Sequence, residues 1–161
     1  MPDQVIVREA TSADRANVLA LLRKNFLHHL ALDPTYYHDP DAIRDRLSAH
    51  ISEALVSKDP TLYVAEARDG ATVGFMSCGV VKSSYFDSIF ERYASIYELY
   101  IEESQRGKGI GHKLIAVAEI YARTQGCKVL HLQTSTYNAK ALEFYEKCNF
   151  VDRQRHLYRT L

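Results

Sequence analysis

The residues best suited to binding a ligand form a glycine-rich turn in the second half of the chain. Residues 105–111 read Gln-Arg-Gly-Lys-Gly-Ile-Gly and lie between an apolar, strand-like run and a strongly periodic helix. Such a turn exposes consecutive backbone N–H groups at the positive end of a helix dipole, where a diphosphate binds well. The sequence therefore predicts a phosphate-binding loop. The alternative is a structural turn that lets the strand pack closely on the helix.

Two titratable residues are candidates for proton transfer. Glu98 interrupts an apolar run, where an ionised carboxylate is costly unless it is paired, solvated or used. It is therefore a general base, a paired structural glutamate, or a residue exposed by a strand bulge. With regular alternation it shares a face with Ile96 and Tyr100. Tyr145 lies on a predicted helix with Leu142, and its phenol is either a proton donor or part of the core.

These residues are positioned by a chain in which strands and helices alternate. Apolar residues recur at helical spacing within 19–30, 43–55, 114–121 and 141–145. Short apolar runs at 5–9, 62–67, 72–81, 96–101 and 129–132 predict strands, and the segment from residue 150 onward is predicted to be a final strand. We therefore predict one mixed α/β domain over residues 1–161, with the order βααββ-β-α-β-α-β.

Composition argues against several other classes of protein. The 161 residues carry 20 Lys plus Arg and 20 Asp plus Glu, so no global charge attracts nucleic acid or an anionic membrane. No apolar run approaches the roughly 20 residues that span a bilayer, and the N-terminus does not read as a signal peptide. The three cysteines form no CxxC pair, and His28 and His29 diverge on a helix without a third ligand. We expect a cytoplasmic protein without a metal.

Known phosphate loops narrow the interpretation of the glycine turn. A Walker A loop needs Ser or Thr after its lysine, and a Rossmann turn needs GxGxxG after the first strand, so neither pattern fits. What remains is Arg106-x-x-Gly109-x-Gly111. With Leu-Tyr-Ile at 99–101 before it, and Asn138 and Phe-Tyr-Glu-Lys-Cys-Asn-Phe at 144–150 after it, the chain resembles the GNAT superfamily of acetyl-CoA-dependent N-acetyltransferases. Asn149 replaces the usual glycine, and asparagine tolerates the left-handed conformation.

The resemblance implies a GNAT-like fold with a central mixed, mostly antiparallel sheet, and acetyl-CoA as co-substrate. Loop N–H groups would hold the diphosphate, and a strand edge would pair with the pantetheine amides. The implied acetyl-CoA-binding residues are Leu99, Tyr100, Ile101, Arg106, Gly107, Lys108, Gly109, Ile110, Gly111, His112, Asn138 and Tyr145. For Lys108 and His112 a solvated helix start is the alternative, and for Asn138 a helix N-cap.

The resemblance further implies an N-acetyltransferase that acts by direct attack in a ternary complex, with Glu98 as base and Tyr145 as acid. The predicted acceptor is a primary amine of a small molecule or polyamine. The alternatives are a lysine or N-terminal amine of a protein or peptide, or a non-catalytic acyl-CoA sensor. Candidate acceptor-binding residues are Tyr36, Tyr37, Tyr85, Phe86 and Tyr97, which would otherwise fill gaps between helices and sheet. Families of this kind commonly form homodimers, and we expect one here.

Overall fold

The computed structural model describes residues 5–83 and 88–159, and its central element is a five-stranded sheet in sequence order. Four strands are antiparallel: β1 (Ile6–Glu9), β2 (Thr61–Glu66), β3 (Thr72–Lys82) and β4 (Arg92–Ile101). β5 (Leu130–Leu132) pairs with β4 in parallel. The helices are α1 (Arg15–Leu32), α2 (Arg44–Ser57), α3 (Ile110–Thr124) and α4 (Ala139–Lys147). This arrangement confirms the predicted mixed α/β fold with a mostly antiparallel sheet.

Both faces of the sheet are covered by helices because its central strands are apolar on both sides. Phe75 and Met76 are neighbours on β3, and both are fully buried. Successive side chains on a strand point to opposite faces. Phe75 accordingly packs with α1 and α2, and Met76 with α3. No helix in the described part of the chain is both long and apolar enough to cross a membrane.

The final strand of the predicted order is not formed within the described residues. Residues 151–159 carry no regular secondary structure, and all of them are exposed. A strand at a sheet edge needs alternating apolar side chains to bury one face. This segment instead places Asp152, Arg153 and Arg155 close together, so neither face could enter the core. The turn before it is as expected, because Asn149 has a φ of 63°.

A β-bulge at Tyr97 changes which face Glu98 occupies. On β3, the adjacent residues Ser77 and Cys78 pair with Glu98 and Ile96, so Tyr97 is an extra residue on β4. The bulge interrupts the alternation of side chains. Ile96 therefore packs with the α3 cluster, whereas Tyr100 lies against the α1 and α2 cluster on the face of Glu98. The prediction that Ile96 and Glu98 share a face was wrong, because it assumed regular alternation.

Candidate active site

The glycine turn provides unpaired backbone N–H groups at the start of α3. Gly107 and Gly109 both have φ of 79°, a left-handed conformation that glycine adopts without strain. Among the described residues, no backbone acceptor pairs with the N–H groups of Gly107, Gly109 or Ile110. A Cβ atom at Gly107 or Gly109 would have no other atom within 4 Å, so the turn faces open space. These features suit a diphosphate, which accepts hydrogen bonds and approaches the backbone closely.

Gly111 has a different reason to be glycine. A Cβ atom there would lie 2.7 Å from Cζ of Phe144, so the missing side chain allows α4 to pack on α3. The His112 ring lies 5.3 Å from the Phe144 ring in an edge-on contact. Ile110 is 2% exposed and belongs to the core, so only its backbone is available to a ligand. Gly111 thus serves the contact between α3 and α4, whereas Gly107 and Gly109 face open space.

Arg106 fixes the connection between β4 and α3. Its Nε donates a hydrogen bond to the Ile101 carbonyl oxygen over 3.0 Å, and its guanidinium lies 5.4 Å from the centre of the Tyr100 ring. Nearby, Lys108 Nζ donates to the Gln105 side chain over 2.9 Å. Lys113 instead donates to the Val5 carbonyl oxygen on the other side of the helix start. The positive charge nearest the turn is therefore that of Arg106 and Lys108.

β4 has a free edge next to the glycine turn because β5 follows it for only three residues. The parallel pairing covers Ala94, Ser95 and Ile96, and no described strand pairs with residues 97–101 on that side. The Glu102 N–H donates to Val73 on β3, and backbone groups alternate in direction along a strand. Leu99 and Ile101 therefore direct their backbone groups toward the gap, whereas those of Tyr100 point to β3. This gap is a suitable place for an extended ligand with amides.

α4 packs on the start of α3 through Phe144, next to the glycine turn. Asn138 is the N-cap of this helix, and its Oδ1 accepts a hydrogen bond from the Ala141 N–H over 3.3 Å. The capping role weighed in the sequence is thus confirmed. Tyr145 is half-buried and packs with Phe144 and Phe150. Burial is the main cause that raises the pKa of Tyr145 to about 12, so its hydroxyl is protonated at neutral pH.

Glu98 lies on the opposite face of the sheet from Tyr145. Its carboxylate accepts a short hydrogen bond from the Ser77 hydroxyl, and its N–H donates to the Ser77 Oγ over 3.2 Å. Burial raises the pKa of Glu98, while the Ser77 hydrogen bond and the attraction of His50 act against this rise. A carboxyl group with this environment is a candidate base with a pKa closer to neutrality than usual.

Glu98 borders a cavity of about 360 Å³ between the first two helices and β4. From α1, Leu22 and Phe26 line it one helical turn apart. From the start of α2, Ile43, Arg46, Leu47 and His50 line it together with His38 of the preceding loop. A ligand in this cavity would contact an apolar wall, two imidazoles and a guanidinium, with a carboxyl group at one end.

Of the aromatic residues predicted to bind the acceptor, Tyr36, Tyr37 and Tyr97 are described, and none of these three lines this cavity. Tyr36 is 63% exposed, and the Tyr37 ring lies 5.1 Å from the His29 ring. Tyr97 is 46% exposed, and its ring covers Gly79. A Cβ atom at Gly79 would lie only 2.7 Å from Cε2 of the Tyr97 ring. Tyr85 and Phe86 lie outside the described residues. The cavity is instead built mainly from helical side chains.

Comparison with known proteins identifies the family. The model of the acetyltransferase (GNAT) family matches residues 24–150. The chain belongs to the GNAT family. It is 26% identical over 149 residues to an uncharacterised N-acetyltransferase of Methanocaldococcus jannaschii, covering 92% of this chain and 61% of that protein. It is also 26% identical to an aminoglycoside N(6')-acetyltransferase of Stenotrophomonas maltophilia, covering 94% and 90% of the two chains.

The chain spans about 60% of the length of two archaeal GNAT relatives, that of M. jannaschii and one of Archaeoglobus fulgidus. Solved structures agree in fold. The BH1408 protein of Bacillus halodurans has a TM-score of 0.84 at 18% identity, covering 97% of this chain and 99% of that one. An aminoglycoside N-acetyltransferase solved in complex with CoA has a TM-score of 0.77 at 17% identity, covering 100% of this chain and 97% of that one. At these identities the likeness shows the GNAT fold alone.

Three side chains near Glu98 in this GNAT chain were not among the sequence candidates. Ser77 holds the carboxylate, while Arg46 and His50 border the cavity. Positions 43, 46, 47 and 50 follow the i, i+3, i+4, i+7 spacing of one helical face, so Ile43 and Leu47 could have drawn attention to Arg46 and His50 on the same face. Within residues 5–83 and 88–159, no group of three or more His, Cys, Asp or Glu could hold a metal ion.

Proposed function

We propose that this protein transfers the acetyl group of acetyl-CoA to the primary amine of a small molecule. The observation that carries the proposal is the free edge of β4. It adjoins the unpaired N–H groups of the glycine turn, and Glu98 on the same strand faces a separate cavity. A thioester held along the edge and an amine held in the cavity would therefore meet near residues 98 and 99.

The turn and the strand edge suit the two chemical parts of CoA. Loop N–H groups at the start of α3 would donate hydrogen bonds to the diphosphate, with Arg106 and Lys108 adding positive charge. The backbone groups of Leu99 and the N–H of Ile101 would pair with the pantetheine amides as a further strand would, since the Ile101 carbonyl oxygen already accepts a bond from Arg106. The side-chain N–H₂ of Asn138 remains available to the same arm, because its capping bond uses only the oxygen.

The acceptor amine must lose a proton before or during attack. An alkyl ammonium has a pKa near 10.4 by analogy with lysine, so a base increases the reactive fraction at neutral pH. In the proposed step the amine nitrogen forms a bond to the thioester carbon, and its proton goes to the Glu98 carboxylate. The N–H of Leu99 would stabilise the negative charge that develops on the carbonyl oxygen. The carbon–sulfur bond then breaks, and sulfur leaves with the electron pair.

Tyr145 would stabilise the departing sulfur. With its pKa raised to about 12, the phenol is some 3.5 units weaker as an acid than a thiol near 8.5. Complete proton transfer to a thiolate would therefore be uphill by about 5 kcal/mol at 1.36 kcal/mol per unit. We infer that Tyr145 acts mainly as a hydrogen-bond donor to sulfur, and that solvent completes the protonation of CoA.

The cysteines favour direct attack over an acetyl-enzyme. Cys78 and Cys127 are buried. Burial raises the pKa of the Cys78 thiol to about 12, which leaves almost no thiolate to act as a nucleophile. Cys148 is partly exposed, but burial raises its pKa as well. None of the three is a suitable acyl carrier.

The experiment that tests the proposal measures thiol release from acetyl-CoA with a panel of primary amines, in parallel with acetyl-CoA affinity. Tyr145→Phe should lower kcat about 10- to 100-fold, because a hydrogen bond to a charged group contributes about 1.5–3 kcal/mol. Its acetyl-CoA Kd should stay within threefold. Tyr137→Phe is the matched control, since Tyr137 is 66% exposed in the loop before α4, and it should retain full activity.

Two other results would point to different functions. Acetyl-CoA binding without thiol release from any amine would favour the acyl-CoA sensor, which needs no proton donor at the sulfur. Acetylation of lysine-containing peptides with no activity on small amines would favour a protein acceptor. A homodimer and a cytoplasmic location remain predictions. The exposed residues 151–159 and the open edge of β5 are the surfaces that a second copy could use.

A further inference from the structure

We propose that the acceptor carries an anionic group, such as a carboxylate, beside an apolar body, and that Arg46 binds this group while Glu98 receives the amine. The inference rests on the proposed function and concerns the same cavity. It narrows the acceptor from any small amine to an amine with an acidic group, such as an amino acid. It also distinguishes this chain from an enzyme built for polycations.

The charges that border the cavity are opposite in sign and separate in the fold. Glu98 comes from β4, whereas Arg46 comes from the first turn of α2. Among the described residues, Arg46 has neither an ion pair nor a hydrogen bond from its side chain. A guanidinium binds a carboxylate through two parallel hydrogen bonds, so a free one beside a cavity suits an anionic ligand group.

Two acidic residues near this side of the molecule, Asp41 and Asp33, already have partners. Asp41 forms two hydrogen bonds with Arg23, at 2.9 and 2.6 Å, and lies 3.6 Å from Arg44. The Asp33 carboxylate accepts bonds from Thr35 in its own turn. Glu98 is therefore the one carboxyl group among the described residues that line the cavity. A polyamine would place a second ammonium near Arg46, which would repel it.

The walls and the size of the cavity define the rest of the acceptor. Leu22, Phe26 and Leu47 contribute apolar side chains to the lining of the cavity. The volume of about 360 Å³ lies at the small end of the roughly 300–1,000 Å³ found for ligand pockets. An apolar amino acid combines an amine, an anion and a compact hydrophobic body, and so matches all three features.

The test compares acceptors that differ only in the carboxylate: L-phenylalanine with phenethylamine, and L-leucine with isopentylamine, with spermidine as the polycation. For the native protein, kcat/KM should be at least tenfold higher for each amino acid than for its decarboxylated partner. Arg46→Gln should abolish this preference by lowering kcat/KM for the amino acids about tenfold or more. Activity on phenethylamine should stay within twofold.

Arg44→Gln is the matched control, because Arg44 lies two residues away and is exposed as Arg46 is, but contacts Asp41 instead of the cavity. Arg44→Gln should change kcat/KM neither for the amino acids nor for phenethylamine. Acetylation of phenethylamine or spermidine in preference to the amino acids would overturn the inference and leave the proposed function intact. Equal losses on both acceptors in Arg46→Gln would also overturn it. Acetyl-CoA binding with no acetylation of any amine would instead refute the proposed function and this inference with it.

Discussion

At the scale of single residues, Glu98 is the group whose environment differs most from that of a surface carboxylate. It is on an interior strand, receives the Ser77 hydroxyl, and borders a cavity large enough for an amine. Burial raises its pKa because the charged form loses hydration. A carboxylate with a raised pKa is a stronger base than a surface one.

This environment predicts a pH dependence of the reaction. Glu98 accepts a proton only when ionised, so kcat/KM should rise with pH through its raised pKa and level off above it. The assay should use a weakly basic amine that stays neutral over roughly pH 5 to 9, so that the acidic limb belongs to the enzyme. Glu98→Gln should lower the plateau about 100-fold and remove that limb.

Glu53→Gln is the control for this variant, because Glu53 is an exposed carboxylate on α2, the helix that borders the same cavity. It should preserve both the plateau and the limb. An unchanged pH profile in Glu98→Gln would exclude Glu98 as the base and leave it a structural residue held by Ser77.

At the scale of elements, the start of α1 is fixed to the sheet by a charged network. Arg8 of β1 donates two hydrogen bonds of 2.8 Å to the buried Asp14 carboxylate, and its Nε donates to Glu66 of β2 over 2.9 Å. Asp14 also accepts the Thr11 N–H over 2.8 Å. These contacts orient α1, which supplies one wall of the cavity.

Asp14→Asn should lower the free energy of unfolding by about 2 kcal/mol at pH 7, since it leaves Arg8 without its main partner. The Arg8 hydrogen bonds lower the pKa of Asp14 well below its ordinary 3.8. The stabilisation is therefore present above that value and is lost as the pH falls toward the folded-state pKa. Urea unfolding should show a smaller difference between the two proteins at about pH 3 than at pH 7.

Asp152→Asn, in the exposed segment after α4, is the control and should change stability by less than about 0.5 kcal/mol. If Asp14→Asn lowered the free energy of unfolding by the same amount at about pH 3 and pH 7, the stabilisation by Asp14 would not come from its charge.

Local spacing predicted most elements and missed features that depend on pairing between distant residues. The hairpin around Asp69 and Gly70 and the amphipathic α3 followed from period and turn chemistry, because both signals lie within a few residues. The bulge at Tyr97 depends on the register between β3 and β4, which no single segment encodes. The cavity beside Glu98 likewise combines side chains of α1, α2 and β4, which are far apart in sequence.

At the scale of the whole molecule, the sheet separates the two proposed binding regions. α3 and α4 lie on the face next to the free edge of β4, and α1 and α2 enclose the cavity on the other. β4 joins the two regions, since Glu98 faces the cavity while the backbone of Leu99 faces the gap. This arrangement would let two substrates approach one point from opposite sides.

The measurement that tests this account most directly is calorimetric titration of the native protein and Gly109→Val with acetyl-CoA, with NADH and ATP as control ligands. The native protein should bind acetyl-CoA saturably and neither control. Gly109→Val should lose this affinity while staying folded by circular dichroism, because valine disfavours the φ of 79° and would cover the open N–H groups. Failure of the folded native protein to bind acetyl-CoA, or undiminished binding by a folded Gly109→Val, would contradict the assignment of the glycine turn as the diphosphate site.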